Sequence, residues 1–171
     1  MKYVLITALI LSTLFYSIKY LTTAQKIPVN GLPVPPMTGV LRNGRAFDLK
    51  TLEGSFVLVH FWGSWCAPCI EEIPQWRKVY QKYHTKTFAS AQFFEIVSFG
   101  MEDDSLRWNG ALDRLKPEWT YQLTDLKNAK SPVAQRFGVQ KIPADFLVNP
   151  KGVIVGVNLT PEETDKYLSE Q

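Results

Sequence analysis

The sequence predicts an α/β domain: a mixed central β-sheet flanked by helices, with a small β-hairpin on its N-terminal side. Three observations point to it. Two nearly continuous apolar runs, residues 56–62 (FVLVHFW) and 93–99 (FFEIVSF), are the mark of strands buried on both faces. Between them Ile70, Ile73, Trp76, Val79, Tyr80 and Tyr83 recur at helical spacing, so strand, helix and strand spell a parallel crossover. Further on, residues 146–149 and 153–157 flank Pro150-Lys151-Gly152, which adds an antiparallel pair.

Residues 3–18 (YVLITALILSTLFYSI) carry no charge and are framed by Lys2 and Lys19. A membrane helix needs roughly 17–25 apolar residues, and the run reaches that length through Tyr20 and Leu21 if Lys19 snorkels to the interface. Residues 1–24 are therefore expected to be a signal anchor, with residues 3–21 in the bilayer. The alternative is a signal peptide cleaved at Thr22-Thr23-Ala24, leaving a soluble periplasmic or secreted domain. Either way the domain works outside the cytoplasm, where disulfide chemistry is thermodynamically live.

Residues 25–37, with Pro28, Gly31, Pro33, Pro35 and Pro36, read as an extended linker, and residues 38–171 as the folded domain. Residues 40–49 form the hairpin around Asn43-Gly44, a turn pair that favours positive φ. Gly63-Ser64 breaks the first buried strand. A helix opens at Cys66 and runs to about His84, with Pro74 inside it as a kink. After the second buried strand, Asp103-Asp104 caps a helix through Leu106, Trp108 and Leu112 to Leu115. Residues 119–123 form a short extended piece, Ser131-Pro132 opens a helix ending near Gly138, and residues 161–169 close the chain as a helix.

The 171 residues are 46% apolar and 20% charged, an ordinary balance for one globular domain. The net charge is +3, and Lys2 and Lys19 lie in the N-terminal segment, so the remainder carries +1 and shows no basic footprint for nucleic acid. Only two cysteines occur, Cys66 and Cys69. A bridge between them closes too short a loop to staple a fold. Zinc needs two more ligands, and His60 and His84 are the only histidines. His84 lies about 15 residues of helix beyond Cys69, roughly 22 Å at 1.5 Å per residue, too far to share an ion. Redox chemistry remains.

That chemistry suits the position. The first turn of a helix has unpaired N–H groups and the positive end of the macrodipole, both of which favour thiolate over thiol. Cys66 is then the attacking sulfur. Cys69, one turn on, attacks the mixed disulfide intramolecularly. Pro68 fits the first helical turn, where a missing N–H costs nothing.

The segment FVLVHFWGSWCAPCIEEIP resembles the active-site segment of thioredoxin-fold proteins, specifically the membrane-anchored TlpA/ResA-like branch. The resemblance covers roughly residues 33–168, including Asn43-Gly44-Arg45, Pro74 and KIPADFLVNPKG at 141–152. It implies a thioredoxin-like fold, a cis Pro143 facing the cysteines, and a partner strand pairing with the backbone beside it at Ile142. Trp65, Ala67 and Pro68 would form the rest of the partner-contacting surface. Two residues depart from the pattern. His60 stands where relatives carry Asp or Asn; it either accepts the Cys69 proton or is a satisfied core histidine. Asp145 stands where relatives commonly have Thr; it reads as a surface carboxylate at a strand end, the alternative being partner selection. Glu71 and Glu72 read as a solvated helix face.

The expected function is an extracytoplasmic thiol–disulfide oxidoreductase exchanging the Cys66–Cys69 dithiol with partner proteins. The resemblance implies a reductant, for example of the haem-attachment cysteines of apocytochromes, recharged by a membrane electron donor. Oxidative folding or isomerisation is the opposing direction, and a Cu(I)-handling module the non-enzymatic alternative. No cofactor and no resident metal is expected, and the protein is expected to act as a monomer.

Overall fold

The computed structural model describes residues 29–171 together with Ser12 and Thr13. The anchor expected over residues 1–24 and the first part of the linker otherwise lie outside the described residues. Among the described residues no helix is long and apolar enough to cross a membrane.

Strands β1 (Thr38–Val40) and β2 (Ala46–Asp48) pair as the expected hairpin, and Gly44 takes φ +83° in its turn. A short 3-10 turn, Leu49–Leu52, follows. Next come β3 (Phe56–Trp62), α1 (Ala67–Tyr83), β4 (Phe94–Gly100), α2 (Ser105–Leu115) and β5 (Tyr121–Leu123). The chain ends with α3 (Pro132–Arg136), β6 (Ala144–Val148), β7 (Ile154–Val157) and α4 (Pro161–Ser169). The central sheet has the order β5-β4-β3-β6-β7. β3, β4 and β5 run parallel, while β6 and β7 enter antiparallel, so the sheet is mixed as the apolar runs predicted.

Every residue of β3 and β4 is buried because both faces of the sheet are covered. Phe56, Leu58 and Trp62 face a layer built from α1, α2 and α4, with Ile73, Trp76, Val79, Trp108 and Leu168 as its core. Val57, Val59 and Phe61 face the other layer, formed by the hairpin, the 3-10 turn and α3 through Phe47, Leu49, Val133 and Phe137. Both crossovers run in one direction across the sheet, which puts α1 and α2 on the same face.

Residues 31–37, the end of the proline-rich stretch, dock onto the domain. Gly31 and Val34 donate to the carbonyls of Ile154 and Gly152 (2.8 Å each), Ile154 donates back to Leu32 (2.9 Å), and Met37 is fully buried. At the opposite side of the sheet, Leu41 bridges to Leu123 and Arg42 donates to Gln122 (2.9 Å). The strand expected at 146–149 begins two residues earlier, because β6 pairs with β3 as far as Phe61↔Ala144. That shift draws Asp145 into the sheet.

Candidate active site

β3 ends at Trp62, and the loop Gly63-Ser64-Trp65 carries the chain to Cys66, the N-cap of α1. Gly63 is required by space. A Cβ there would stand 2.9 Å from Trp65 Cε2 and 3.1 Å from Ile142 Cδ1. Cys66 caps the helix with its sulfur, Sγ accepting the Cys69 N–H at 3.3 Å. Cys66 and Cys69 are joined as a disulfide. Cys66 retains 5% exposure and Cys69 none, so Cys66 is the sulfur a partner can reach. Ala67 and Pro68 occupy the first helical positions and are exposed, as is Trp65 at 53%. The Ile142–Pro143 bond is cis, and the register Phe61↔Ala144 sets it beside the Gly63 end of β3, next to the loop that leads to Cys66.

Behind the loop lies an acid that no local pattern in the sequence flags. Glu102, fully buried, accepts the Ser64 N–H at 2.5 Å and the Ser64 hydroxyl at 3.1 Å, while Arg107 Nε approaches at 3.5 Å. The Trp65 indole donates to the Met101 carbonyl at 3.0 Å. Residues 101–102, just past β4, therefore hold both residues that precede Cys66. Hydrogen bonds to a charged group are worth about 1.5–3 kcal/mol. Glu102→Ala is thus expected to lower stability by about 2–3 kcal/mol, and Glu102→Gln by roughly half as much. Urea denaturation of the two variants checks this.

The largest correction concerns Asp145. Far from a surface carboxylate, it is 5% exposed and accepts from His60 Nδ1 at 2.8 Å, with His60 at 1% exposure. The two are register partners across β3 and β6 and share the α1 face. Glu72 corrects a second expectation. Glu71 is exposed, but Glu72 turns one carboxylate oxygen inward, where it has no hydrogen-bond partner among the described residues. Burial, and next the charge of Asp145, pushes its carboxyl above the ordinary value, opposed by His60. A raised pKa in the fold means the neutral acid stabilises the protein fully below the unfolded value, near 4.5, and this is lost as pH rises through the folded value. Glu72→Gln is expected to raise the thermal midpoint near neutral pH, with the gain vanishing in mild acid. Melting curves across that range read it directly.

The structure therefore brings Cys66, Cys69, Trp65, Ala67, Pro68, Ile142 and Pro143 to one end of the sheet, with His60 inside the layer beneath α1. Among the described residues, no group of three or more His, Cys, Asp and Glu could hold a metal ion. His84 pairs with Glu95 at 3.0 Å at the far end of α1. Trp108 and Trp119 are core residues, the latter donating to Ser98 Oγ at 2.7 Å.

The profile of the Redoxin family matches residues 29–170. Among curated proteins, the chain is 24% identical over 151 residues to "Thiol-disulfide oxidoreductase ResA" of Bacillus thuringiensis subsp. konkukian, covering 88% of this chain and 80% of that protein. It is 29% identical to the protein of the same name from Halalkalibacterium halodurans, covering 74% of this chain and 66% of that one. Among solved structures, the thioredoxin domain of a thiol-disulfide oxidoreductase from Bacteroides vulgatus superposes with a TM-score of 0.73 at 25% identity, covering 83% of this chain and 96% of that one. A putative thiol:disulfide interchange protein DsbE from Chlorobium tepidum shares the fold at a TM-score of 0.69 and 24% identity, covering 84% and 94%.

Proposed function

The chain belongs to the Redoxin family and is a thioredoxin-like thiol–disulfide oxidoreductase, and from that premise we propose that it reduces disulfides of exported proteins through Cys66 and Cys69. The observation that carries this reading is the cysteine pair at the strand–helix junction, with Cys66 at the rim and Cys69 enclosed.

In the proposed reaction the Cys66 thiolate attacks a partner disulfide and expels one partner sulfur. Cys69 then attacks Cys66 Sγ, reforms the intramolecular bond and expels the second sulfur. Two electrons pass to the partner, and the two protons of the dithiol end on its thiols. The N-terminus of α1 favours the Cys66 thiolate. Trp65, Ala67 and Pro68 offer the partner an exposed rim, and the backbone at Ile142 beside Pro143 pairs with its extended strand. His60 serves as the proton acceptor for Cys69. Residues 3–21 tether the domain, through the part of the linker that precedes the docked residues 31–37, to the outer face of the membrane, where a thiol–disulfide donor recharges it. Haem-attachment cysteines of apocytochromes are the substrate class we assign.

The test is a Cys69→Ser variant produced in cells and isolated with its stalled mixed disulfide. Capture of exported proteins bearing a Cys-x-x-Cys haem-attachment pair is the expected result. Capture only of newly exported proteins awaiting structural disulfides would reverse the assigned direction.

A further inference from the structure

Cys69 has no exposed surface, so the proton it sheds before attacking Cys66 has no direct path to solvent. The groups able to take it lie between α1 and the sheet. β3 supplies His60, β6 supplies Asp145, and α1 supplies Glu72, one turn beyond Cys69. β4 offers only Ser98 at this level, and its hydroxyl is engaged by the Trp119 indole. α4 turns Thr164 and Leu168 inward, while its Asp165 binds Lys82 at 2.7 Å. Further along α1, the Tyr80 hydroxyl is engaged by Glu95 at 3.4 Å and the Tyr83 hydroxyl by the Asp165 carbonyl at 3.0 Å, while Leu58, Trp62, Ile73 and Trp76 add no titratable group.

A carboxylate can only accept, so His60 Nδ1 carries the hydrogen and donates it to Asp145 Oδ1. Nε2 is then left with the free lone pair, and it is buried with no partner among the described residues. Asp145 is fixed in turn by its own backbone: its N–H donates to Asn158 Oδ1 at 3.1 Å, and the Asn158 N–H donates to its carbonyl at 2.7 Å. The His60 ring lies 6.2 Å from that of Trp76, which shares the buried stripe of α1 with Cys69 and Ile73.

We infer that Asp145 is a positioning residue that holds His60 with Nε2 open to take the Cys69 proton as the mixed disulfide is resolved. The inference rests on Cys66 and Cys69 being the exchanging pair. The step balances. The Cys69 proton passes to Nε2, the sulfur electron pair forms the bond to Cys66 Sγ, and the bond from Cys66 to the partner sulfur breaks. The departing sulfur takes that electron pair and then a proton from the imidazolium or from solvent. The Asp145 charge stabilises the imidazolium while it exists. Glu72 is the other charge facing the pair, and Asp145 disfavours its ionisation, which limits the negative charge stored there.

The reduced chain, mixed with 5,5′-dithiobis(2-nitrobenzoate), separates the two half-reactions. The first nitrothiobenzoate leaves when Cys66 attacks, the second when Cys69 resolves. General base catalysis is worth about 100-fold or more, so His60→Asn is expected to slow the second phase on the order of 100-fold. Asp145→Asn should slow it on the order of tenfold, since the base remains but its tautomer is no longer imposed. In both, the rise of the second phase with pH should move upward, and the first phase should keep its rate. Should Asp145→Asn fail to fold, the ¹⁵N shifts of His60 in the parent protein read the tautomer directly: Nδ1 protonated with Nε2 bare is expected, and the opposite tautomer overturns the inference. A second phase that keeps its rate and pH profile in Asp145→Asn or in His60→Asn, or two phases that slow together, overturns the inference. Absence of a fast first phase in the parent protein would instead overturn the reading of Cys66 as the attacking sulfur.

Discussion

Cys66→Ser is expected to reduce disulfides no faster than the uncatalysed exchange, while Cys69→Ser completes one half-reaction and stops. The asymmetry follows from burial. Cys66 caps α1 and keeps the pair's only exposed surface, so no other sulfur can begin the attack. A serine hydroxyl in its place ionises far above physiological pH, and the helix N-terminus cannot close a gap of that size. Cys69, fully enclosed, meets only a sulfur already bound to Cys66. Its advantage is proximity, and effective concentrations for oriented intramolecular attack reach about 10⁵ M or more. External thiols at millimolar levels cannot replace it, so the Cys69→Ser mixed disulfide should survive non-reducing electrophoresis. An insulin-reduction assay with both variants checks the pair. Residual turnover by Cys66→Ser would remove the central assignment.

Trp76→Ala is expected to be the most destabilising single change beneath the active-site helix. The indole is fully buried in the layer that also holds Cys69, Ile73 and Leu58. Truncation of a buried Trp costs about 3–5 kcal/mol through lost transfer energy and the cavity left behind. At about 2–4 °C per kcal/mol for a domain of this size, the midpoint should fall by roughly 12 °C. The cavity would also open beside the His60 ring. Calorimetry reads the first effect, and the rate of the resolving half-reaction reads the second. A fall of only a few degrees would mean that the layer collapses around the gap.

The sheet and the cysteine pair were legible because local signals carry them. FVLVHFW announces a strand covered on both faces, and Cys-Ala-Pro-Cys after Gly-Ser announces a helix N-terminus. Ile142–Pro143 followed from resemblance, not from the residues themselves. Asp145 was misread for a physical reason. In a strand buried on both sides every position is inside, so Ala-Asp-Phe-Leu-Val shows no alternation that would flag the acid as buried. Its partner His60 is 85 residues away, and the register joining them is set by the β3–β6 pairing of the whole sheet. Glu72 sits beside the exposed Glu71, and one helical step decides which of them turns inward. Glu102 follows a buried strand into what reads as a loop, where an acid is ordinarily solvated. Only the return of Ser64 to the same place reveals its use.

The docking of residues 31–34 along Gly152–Ile154, at the start of β7, and of Leu41-Arg42 along β5, bears on how this protein behaves in company. A five-stranded sheet ordered β5-β4-β3-β6-β7 has two outer strands, each a template on which a neighbouring molecule could add its own strand. The protein's own N-terminal region covers the start of β7, at Ile154, and pairs with β5 at Gln122 and Leu123. Pro33, which bridges to Val153, lacks the N–H that a further strand would need, so a neighbour's strand finds no donor at that position.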